Sequence, residues 1–257
     1  SDGLFSIVRY CTAPYRYGLS GTPFKRGDKQ DLKLVALTGE VCCKITNKEM
    51  IEDGVSVPTD IMFVDINSPQ LPVGIDYQTA YDDGIVYNDH RNKVICDATL
   101  EFHKRNKQVL IIVKKIDHGH AISNLISATK EFVPHQFIHG SIPAEERMEA
   151  LENFKNGITK VLIASSILDQ GVDIPNINVL IFASGGNSYI RAIQRIGRGL
   201  RLHDSKERLI VVDFSDRTNK YLARHSIERF QTYAGEHCFA IDIVDGVGEL
   251  VSVCNGA

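Results

Sequence analysis

Five short apolar runs, rich in β-branched residues, recur along the chain from residue 61 onward. Polar or turn-forming residues bound each run, and such continuous apolar stretches are typical of strands buried on both faces of a parallel sheet. The five predicted strands cover residues 61–66, 109–113, 161–164, 179–182 and 209–212.

The clearest helical pattern between these strands covers residues 143–155. Ser141 is the predicted cap, Pro143 lies early in the helix, and two glutamates follow in the first turn, where negative charge is favoured. Asn156 and Gly157 are predicted to end the helix. The predicted apolar stripe consists of Met148, Leu151 and Phe154.

Three further helices are predicted at residues 119–132, 188–196 and 218–233. Strands that alternate with helices form right-handed βαβ units, so the fold class is predicted as α/β, with a doubly wound parallel sheet and helices on both faces. Ligands bind such sheets beyond the carboxyl ends of the strands. Functional residues are therefore expected at that edge.

The first 40 residues have a different pattern. Residues 16–23 are predicted to form a strand and a turn, but no βαβ unit precedes them, so the chain is expected to begin inside a domain. The predicted organisation is the end of one domain at residues 1–40, a connection at 41–60 and the main domain at 61–257.

Composition restricts the class of protein. A chain of 257 residues, 43% hydrophobic, can bury a full core. No apolar run approaches the roughly 20 residues that cross a bilayer, so we expect an intracellular protein with no membrane partner. The six cysteines show no metal-ligand spacing, and reduced thiols are expected.

The net charge of −3 does not by itself indicate a nucleic-acid-binding protein. Basic residues nevertheless cluster between residues 191 and 208, whereas residues 76–89 are acidic. A lone basic cluster is most often a solvated face. The motif inside this cluster favours a functional role.

That motif is Gln194-Arg195-Ile196-Gly197-Arg198-Gly199-Leu200-Arg201. Three-residue spacing lets two guanidinium groups point the same way, and the glycines permit close approach of another surface. Guanidinium groups can neutralise the charge that develops on a transferred phosphoryl group. The alternative is a basic helix end whose side chains bind carbonyl oxygens.

Residues 161–175 form the second informative segment. Small hydroxyl residues follow a buried strand there, and exposed backbone N–H groups and Oγ atoms at such a position can bind phosphate. Gly171 allows close approach of a ligand, and Asp173 can accept a hydrogen bond from a ribose or an arginine. The alternative is an ordinary strand-to-helix turn.

Together these segments resemble the C-terminal RecA-like domain of superfamily-two helicases. The segments similar to family motifs are residues 20–23 (motif III), 109–113 (motif IV), His139-Gly140 with Arg147 (between IV and V), 165–175 (motif V) and 194–201 (motif VI). Residues 17–24 and 37–39 are similar to the XPB and UvsW type of DNA helicase more than to the DEAD-box RNA type. The resemblance implies that residues 1–40 are a remnant of a first motor domain.

The resemblance also implies roles for individual residues. Arg198 and Arg201 would act as arginine fingers on the phosphates of ATP, and Gln194 would contact the nucleotide side of the cleft. Gly171 and Asp173 would line the same cleft. The residues implied to contact nucleic acid are Ser165, His139, Gly140 and, at the end of motif IV, Lys114. Ser20 and Thr22 would couple the ATP site to strand movement.

The sequence departs from a complete helicase in one respect. It contains no GxxxxGK[ST] phosphate loop and no acidic box for magnesium. We therefore expect that the chain alone does not hydrolyse ATP, and that it shares ATP and Mg²⁺ with an N-terminal RecA-like motor domain while acting on duplex or branched DNA. No metal ligands are expected in the chain itself.

Other classes of function are a non-catalytic module that binds nucleic acid or a partner protein, and half of an RNA helicase. The paired arginines favour a motor over a pure binding module. A nucleotide-binding oxidoreductase is excluded because no GxGxxG follows a strand. Gly185-Gly186-Asn187-Ser188 has the wrong spacing and is predicted to be a turn.

Overall fold

The computed structural model describes residues 6, 8–19, 31–165, 177–186, 208–235 and 239–253. The chain divides into two compact units, Ser1–Thr46 and Asn47–Ala257. Helix α1 (Asp31–Thr38) belongs to the first unit and ends at Gly39, whose φ of 81° suits a residue without a side chain. That this unit is the remnant of a motor domain stays a prediction.

The second unit alternates strands and helices. Its described strands are β1 (Thr59–Ile66), β2 (Val109–Ile112), β3 (His135–Ile138), β4 (Val161–Ala164), β5 (Val179–Phe182), β6 (Leu209–Asp216) and β7 (Phe239–Val244). Its described helices are α2 (Asn47–Glu52), α3 (Tyr77–Tyr81, continued by a π-helical turn, Asp82–Val86), α4 (Asp89–Lys104), α5 (Ile116–Ser127), α6 (Ala144–Lys155), α7 (Lys220–Ala234) and α8 (Val247–Val253). None of these described helices is long and apolar enough to cross a membrane.

The described strands form one parallel sheet in the order β3-β4-β2-β5-β6-β1-β7. All five predicted strands are confirmed. The two that the sequence analysis lacks, β3 and β7, are the edge strands, and most of their residues are partly or fully exposed. They therefore carry no continuous apolar run.

Helices cover both faces of the sheet, as predicted. On one face, α4, α5 and α8 pack through residues such as Ile95, Ile122 and Leu250. On the other face, α6 and α7 pack through Phe154 and Tyr233. Successive strand residues alternate between the two cores, which is the expected consequence of the two-residue repeat of a strand.

Helix α6 confirms the predicted helix at residues 143–155, and its end at Asn156 and Gly157 is as expected. Two details of that prediction are wrong. Ser141 is not the cap, because Pro143 occupies the cap position and no side chain there bonds the first turn. Met148 is not part of the apolar stripe, because it is 70% exposed. The buried residues of the helix are instead Ala150 and, one turn further on, Phe154.

The other predicted helices differ mainly in their bounds. Helix α5 begins at Ile116 rather than at residue 119 and ends at Ser127, whereas α7 matches the prediction to within two residues. The helix predicted at residues 188–196 lies outside the described residues. The structure adds α4, whose buried side includes Arg91, Asn92 and Thr99 and so hides its helical apolar pattern.

Candidate functional site at the carboxyl ends of the strands

Three neighbouring strands bring the predicted nucleic-acid contacts into one row. The backbone N–H of Ser165, after β4, donates to the carbonyl of Ile138 at the end of β3, 3.1 Å away. The N–H of Val113, after β2, donates to the carbonyl of Ala164 over 2.9 Å. Because adjacent strands lie about 4.8 Å apart, His139-Gly140, Ser165 and Lys114 follow one another along this edge. We call these four residues the strand-end row.

The members of the strand-end row differ in accessibility. Lys114 and Gly140 are exposed, His139 is half-buried and Ser165 is buried. The backbone N–H of Ser165 is not free to bind a phosphate, because it donates to the carbonyl of Ile138. Its Oγ stays the candidate donor.

The turn after β3 is held from α6. The N–H of Ile142 donates to the carbonyl of His139 over 3.1 Å, which closes the turn around Gly140. The guanidinium of Arg147 donates to the carbonyl of Ile142 over 2.7 Å. The resemblance places Arg147 with His139-Gly140. Arg147 therefore holds the turn by bonding the backbone of the turn.

Lys114 lies over the ring of Tyr81, with its Nζ 5.0 Å from the ring centroid. The neighbouring Lys115 makes an ion pair with Asp82. Burial opposes the charge on Asp82, but hydrogen bonds from Lys115 and Gln78 lower the pKa of this carboxyl overall. The acidic stretch at residues 76–89 therefore has local structural partners.

The hydroxyl of Tyr81 also reaches the next strand end. It donates to the carbonyl of Ser184, directly beyond β5. Arg91 donates to the carbonyl of Ala183 over 2.8 Å, and Arg229 donates to that of Gly186 over 3.3 Å. Three side chains from three helices thus fix the backbone of residues 183–186, which we call the β5 exit.

Two buried carboxylates at the end of β6 hold these arginines. Arg91 Nε lies 2.8 Å from Asp216, and Arg229 Nε lies 3.0 Å from Asp213. The hydroxyl of Tyr233 donates to Asp213 as well, over 2.9 Å. Burial opposes the charge on Arg229, but the two carboxylates raise its pKa, so its guanidinium stays protonated.

The sequence analysis missed this buried network. Its charged members Arg91 and Arg229 lie 138 residues apart, and each in isolation has the pattern of a surface charge. The one available signal was the run Leu209-Ile210-Val211-Val212-Asp213-Phe214-Ser215-Asp216, where carboxylates continue a buried strand. Such carboxylates require partners.

Residues 183 and 184 form a turn, and of the turn predicted at residues 185–188 the structure describes Gly185 and Gly186. Gly185 and Gly186 have φ values of 55° and 80°, a region that side-chain-bearing residues rarely adopt. The predicted motif VI follows this turn in the sequence.

Several predicted site residues lie outside the described residues. They are Ser20, Thr22, Gly171, Asp173, Gln194, Arg198 and Arg201. Their roles stay predictions. Within the part of the chain that the structure describes, no group of three or more His, Cys, Asp or Glu side chains could hold a metal ion.

Comparison with known proteins shows that part of this domain is similar to helicases. Residues 90–203 match the model of the "Helicase conserved C-terminal domain". The chain is 27% identical over 247 residues to the ATP-dependent DNA helicase uvsW of Enterobacteria phage T4, covering 86% of this chain and 47% of that protein. It is 29% identical over 202 residues to the putative ATP-dependent helicase IRC3 of Saccharomyces cerevisiae, covering 77% of this chain and 29% of that protein.

Solved structures show the same fold. The crystal structure of T4 UvsW superposes with a TM-score of 0.58 at 24% identity, covering 83% of this chain and 45% of that one. S. cerevisiae Dbp5 bound to RNA and ADP BeF3 superposes with a TM-score of 0.60 at 16% identity, covering 99% of this chain and 58% of that one.

The chain spans less than half the length of the two curated relatives described above. The matched domain begins within α4 and includes the whole strand-end row and the β5 exit. The chain therefore has the RecA-like fold that helicase C-terminal domains share, and residues 90–203 match the model of that domain, with UvsW among the similar proteins.

Proposed function

We propose that this chain is the C-terminal motor domain of an ATP-dependent helicase or translocase that acts on duplex or branched DNA. The observation that carries the proposal is the strand-end row, in which Lys114, Ser165 and His139-Gly140 follow one another on three adjacent strand ends. A row of hydroxyl, amine and backbone donors suits successive phosphates of one strand. Such contacts hold the backbone and do not read bases.

The ATP side of the proposal rests on the sequence of motif VI. Arg198 and Arg201 would neutralise charge on the transferring phosphoryl group, with Gln194 on the nucleotide and Gly171 and Asp173 along the cleft. ATP with Mg²⁺ would be bound mainly by an N-terminal RecA-like motor domain. The described network at the β5 exit supports this arrangement, since it fixes the backbone that leads into motif VI.

Ser20 and Thr22 would couple ATP hydrolysis to strand movement, as in similar helicases. This role requires the N-terminal motor domain as a partner.

The test of the proposal is salt-dependent binding of a DNA oligonucleotide to this chain, with Lys114→Ala as the variant. We expect weak binding of wild type, insensitive to base sequence and steeply reduced by salt, because counterions are released from phosphates. Lys114→Ala should weaken binding to all sequences alike and reduce the slope of log K against log salt by about one. Lys93→Ala is the matched control, because Lys93 is exposed and pairs with Asp97 on α4.

Strong discrimination between base sequences, or a salt slope that is unchanged in Lys114→Ala but reduced in Lys93→Ala, would contradict the proposal.

The second candidate is half of an RNA helicase, since one structure with this fold, Dbp5, contains RNA. Binding to matched DNA and RNA strands separates the two, because only RNA offers 2′-hydroxyl groups. The third candidate is a non-catalytic binding module. Such a module would bind nucleic acid, and replacing Arg198 or Arg201 would not change ATP hydrolysis in a protein that contains both motor domains.

A further inference from the structure

Three aromatic rings lie together beside the end of β3. His120 is on α5, Phe137 is in β3 and His139 follows that strand. The ring centroids of His120 and Phe137 are 5.1 Å apart, those of Phe137 and His139 are 4.8 Å apart, and those of His120 and His139 are 5.7 Å apart. Each ring thus contacts the other two, and we call this group the ring cluster.

Helix α5 holds the ring cluster in a fixed geometry. The Phe137 ring lies against the backbone of Gly119, and a methyl group at that position would overlap the ring. This close approach brings the next residue, His120, edge-on to Phe137 at an interplanar angle of 90°. Rings that are already ordered lose little entropy when they bind a ligand.

The ring cluster also opens to solvent. His120 is exposed, while Phe137 and His139 are half-buried. Among the described residues, no third His, Cys, Asp or Glu side chain joins the two histidines in a group able to hold a metal ion. The cluster therefore offers ring faces and edges, together with the imidazole nitrogens of its two histidines.

The position of the ring cluster indicates its ligand. His139 belongs both to the cluster and to the strand-end row. The backbone N–H of Ser165 donates to the carbonyl of Ile138, the residue before His139. A strand whose phosphates follow the row would carry its bases within reach of the rings. Aromatic side chains stack on bases regardless of their identity, because every base has a π-face. Paired bases in a duplex hide those faces.

We propose that His120, Phe137 and His139 form a stacking site for the bases of an unpaired nucleic-acid strand. This inference rests on the proposed function, because the strand-end row supplies the phosphate contacts that bring the bases there. The strand-end row contacts only the nucleic-acid backbone. The stacking site adds a contact to the bases and a preference for single strands.

The test compares two strands of equal charge: a twelve-residue oligothymidylate and the same strand with its four central bases replaced by abasic sites. Binding to this chain is measured by fluorescence anisotropy at low salt. Wild type is expected to bind the strand with bases about tenfold more tightly, the size of effect that one good stacking contact gives. His120→Ala and His120→Gln should lose that preference while binding the abasic strand as wild type does.

Two further variants separate stacking from other roles of the imidazole. His120→Phe retains a ring and should retain the preference, whereas a role for imidazole as a hydrogen-bond donor would be lost in it. His90→Ala changes another exposed histidine, on α4, and should bind both strands as wild type does. Thermal melting of each variant checks that the fold is kept.

The outcomes are distinct. Equal binding of both strands by wild type overturns the stacking site and leaves the phosphate row standing. Binding of neither strand overturns the stacking site and the proposed function together. Loss of affinity for both strands in His120→Ala also overturns the proposal, because it indicates a phosphate contact. Uridylate strands run in parallel should show the same base preference, since stacking does not require deoxyribose.

Discussion

At the residue scale, the most constrained side chains are those of the buried network at the β5 exit. Arg91 and Arg229 are almost fully buried, and each bonds a carboxylate and a backbone carbonyl of residues 183–186. A buried guanidinium is stable only when its charge is paired. The network therefore links the end of β6 to the backbone that leads into the predicted motif VI.

Replacing Arg229 with alanine should strongly destabilise the domain. Asp213 would lose the guanidinium that pairs with it, while Asp216 would keep only Arg91. Breaking a buried pair in this way costs about 3–5 kcal/mol. Arg229→Lys should be intermediate, because it keeps a charge but not the fork that reaches Phe214 and Gly186. Urea denaturation measures the free energy of unfolding.

The control is Arg224→Ala on the same helix. Arg224 is 66% exposed in an i,i+4 pair, so its loss should change stability by no more than about 0.5 kcal/mol. Equal effects of the two substitutions would mean that the network does not stabilise the fold.

His118 should make the stability of the domain depend on pH. Burial, with a smaller contribution from Arg91, lowers the pKa of His118 well below its ordinary value of 6.5. The folded state then holds the ring neutral, bonded to Asn92 over 2.8 Å, while the unfolded chain takes up a proton. Stability is full above the unfolded pKa and falls as the pH drops below it, by up to about 1.4 kcal/mol per pH unit.

The measurement is urea denaturation between pH 7.5 and pH 5. His118→Gln should show a shallower loss of stability with falling pH than wild type, whatever its stability at neutral pH. His90→Gln, at an exposed histidine, should keep the wild-type slope. An unchanged slope in His118→Gln would refute the assignment.

Part of the site could be predicted because Lys114 and Ser165 each follow a buried strand, whereas His139 follows the partly exposed strand β3 and was indicated only by the family resemblance. Lys114, Ser165 and His139 lie just beyond apolar or hydrogen-bonded strand ends, and parallel strands bring their carboxyl ends to one edge. Asp213 and Arg229 could not be paired from sequence, since nothing local distinguishes a buried charge with a partner from a solvated one.

At the element scale, burial decided which elements the sequence predicted. The five central strands are apolar over their predicted lengths apart from Asp65, whereas β3 and β7 at the edges mix polar residues into short runs. Strand β6 continues past residue 212 to Asp216, because the carboxylates of this segment are buried and pair with arginines inside the domain. Hydrophobic pattern thus identifies the middle of such a sheet better than its margins.

Helix α5 depends on Gly119 for its contact with β3. Alanine is normally the better helix residue by about 1 kcal/mol, but here its methyl group would overlap the Phe137 ring. Overpacking of this kind costs about 1–3 kcal/mol, so Gly119→Ala should be destabilising overall. Gly248→Ala in α8 is the control, since nothing lies near the added methyl group, and it should be neutral or stabilising.

Thermal melting of both glycine variants provides the comparison. Stabilisation by Gly119→Ala would show that the ring of Phe137 can move away from α5. The ring cluster would then lack a fixed geometry.

At the scale of the whole described domain, the carboxyl edge of the sheet has two parts. The ends of β3, β4 and β2 carry the strand-end row, and the ends of β5 and β6 carry the buried network. Tyr81 contacts both, with Lys114 over its ring and its hydroxyl on Ser184. The proposed strand contacts and the backbone that leads into motif VI are therefore neighbours across a single pair of strands, β2 and β5.

Motif VI yields the sharpest test of the motor function, in a protein that joins this chain to an N-terminal motor domain. Arg201→Ala should leave melting temperature and DNA binding near those of wild type, because an arginine that acts only on ATP would contribute about 0.5 kcal/mol or less to stability. Loss of an arginine finger lowers phosphoryl-transfer rates about a thousandfold or more, so DNA-stimulated ATP hydrolysis and unwinding should be abolished. Arg198→Ala should behave alike and Arg195→Ala much more mildly, since the family resemblance assigns the finger role to Arg198 and Arg201 and not to Arg195. Single-turnover hydrolysis is measured beside melting for each variant. If Arg201→Ala unfolds the domain, or hydrolyses ATP at the parent rate, the basic cluster is a solvated or structural surface and the finger assignment fails.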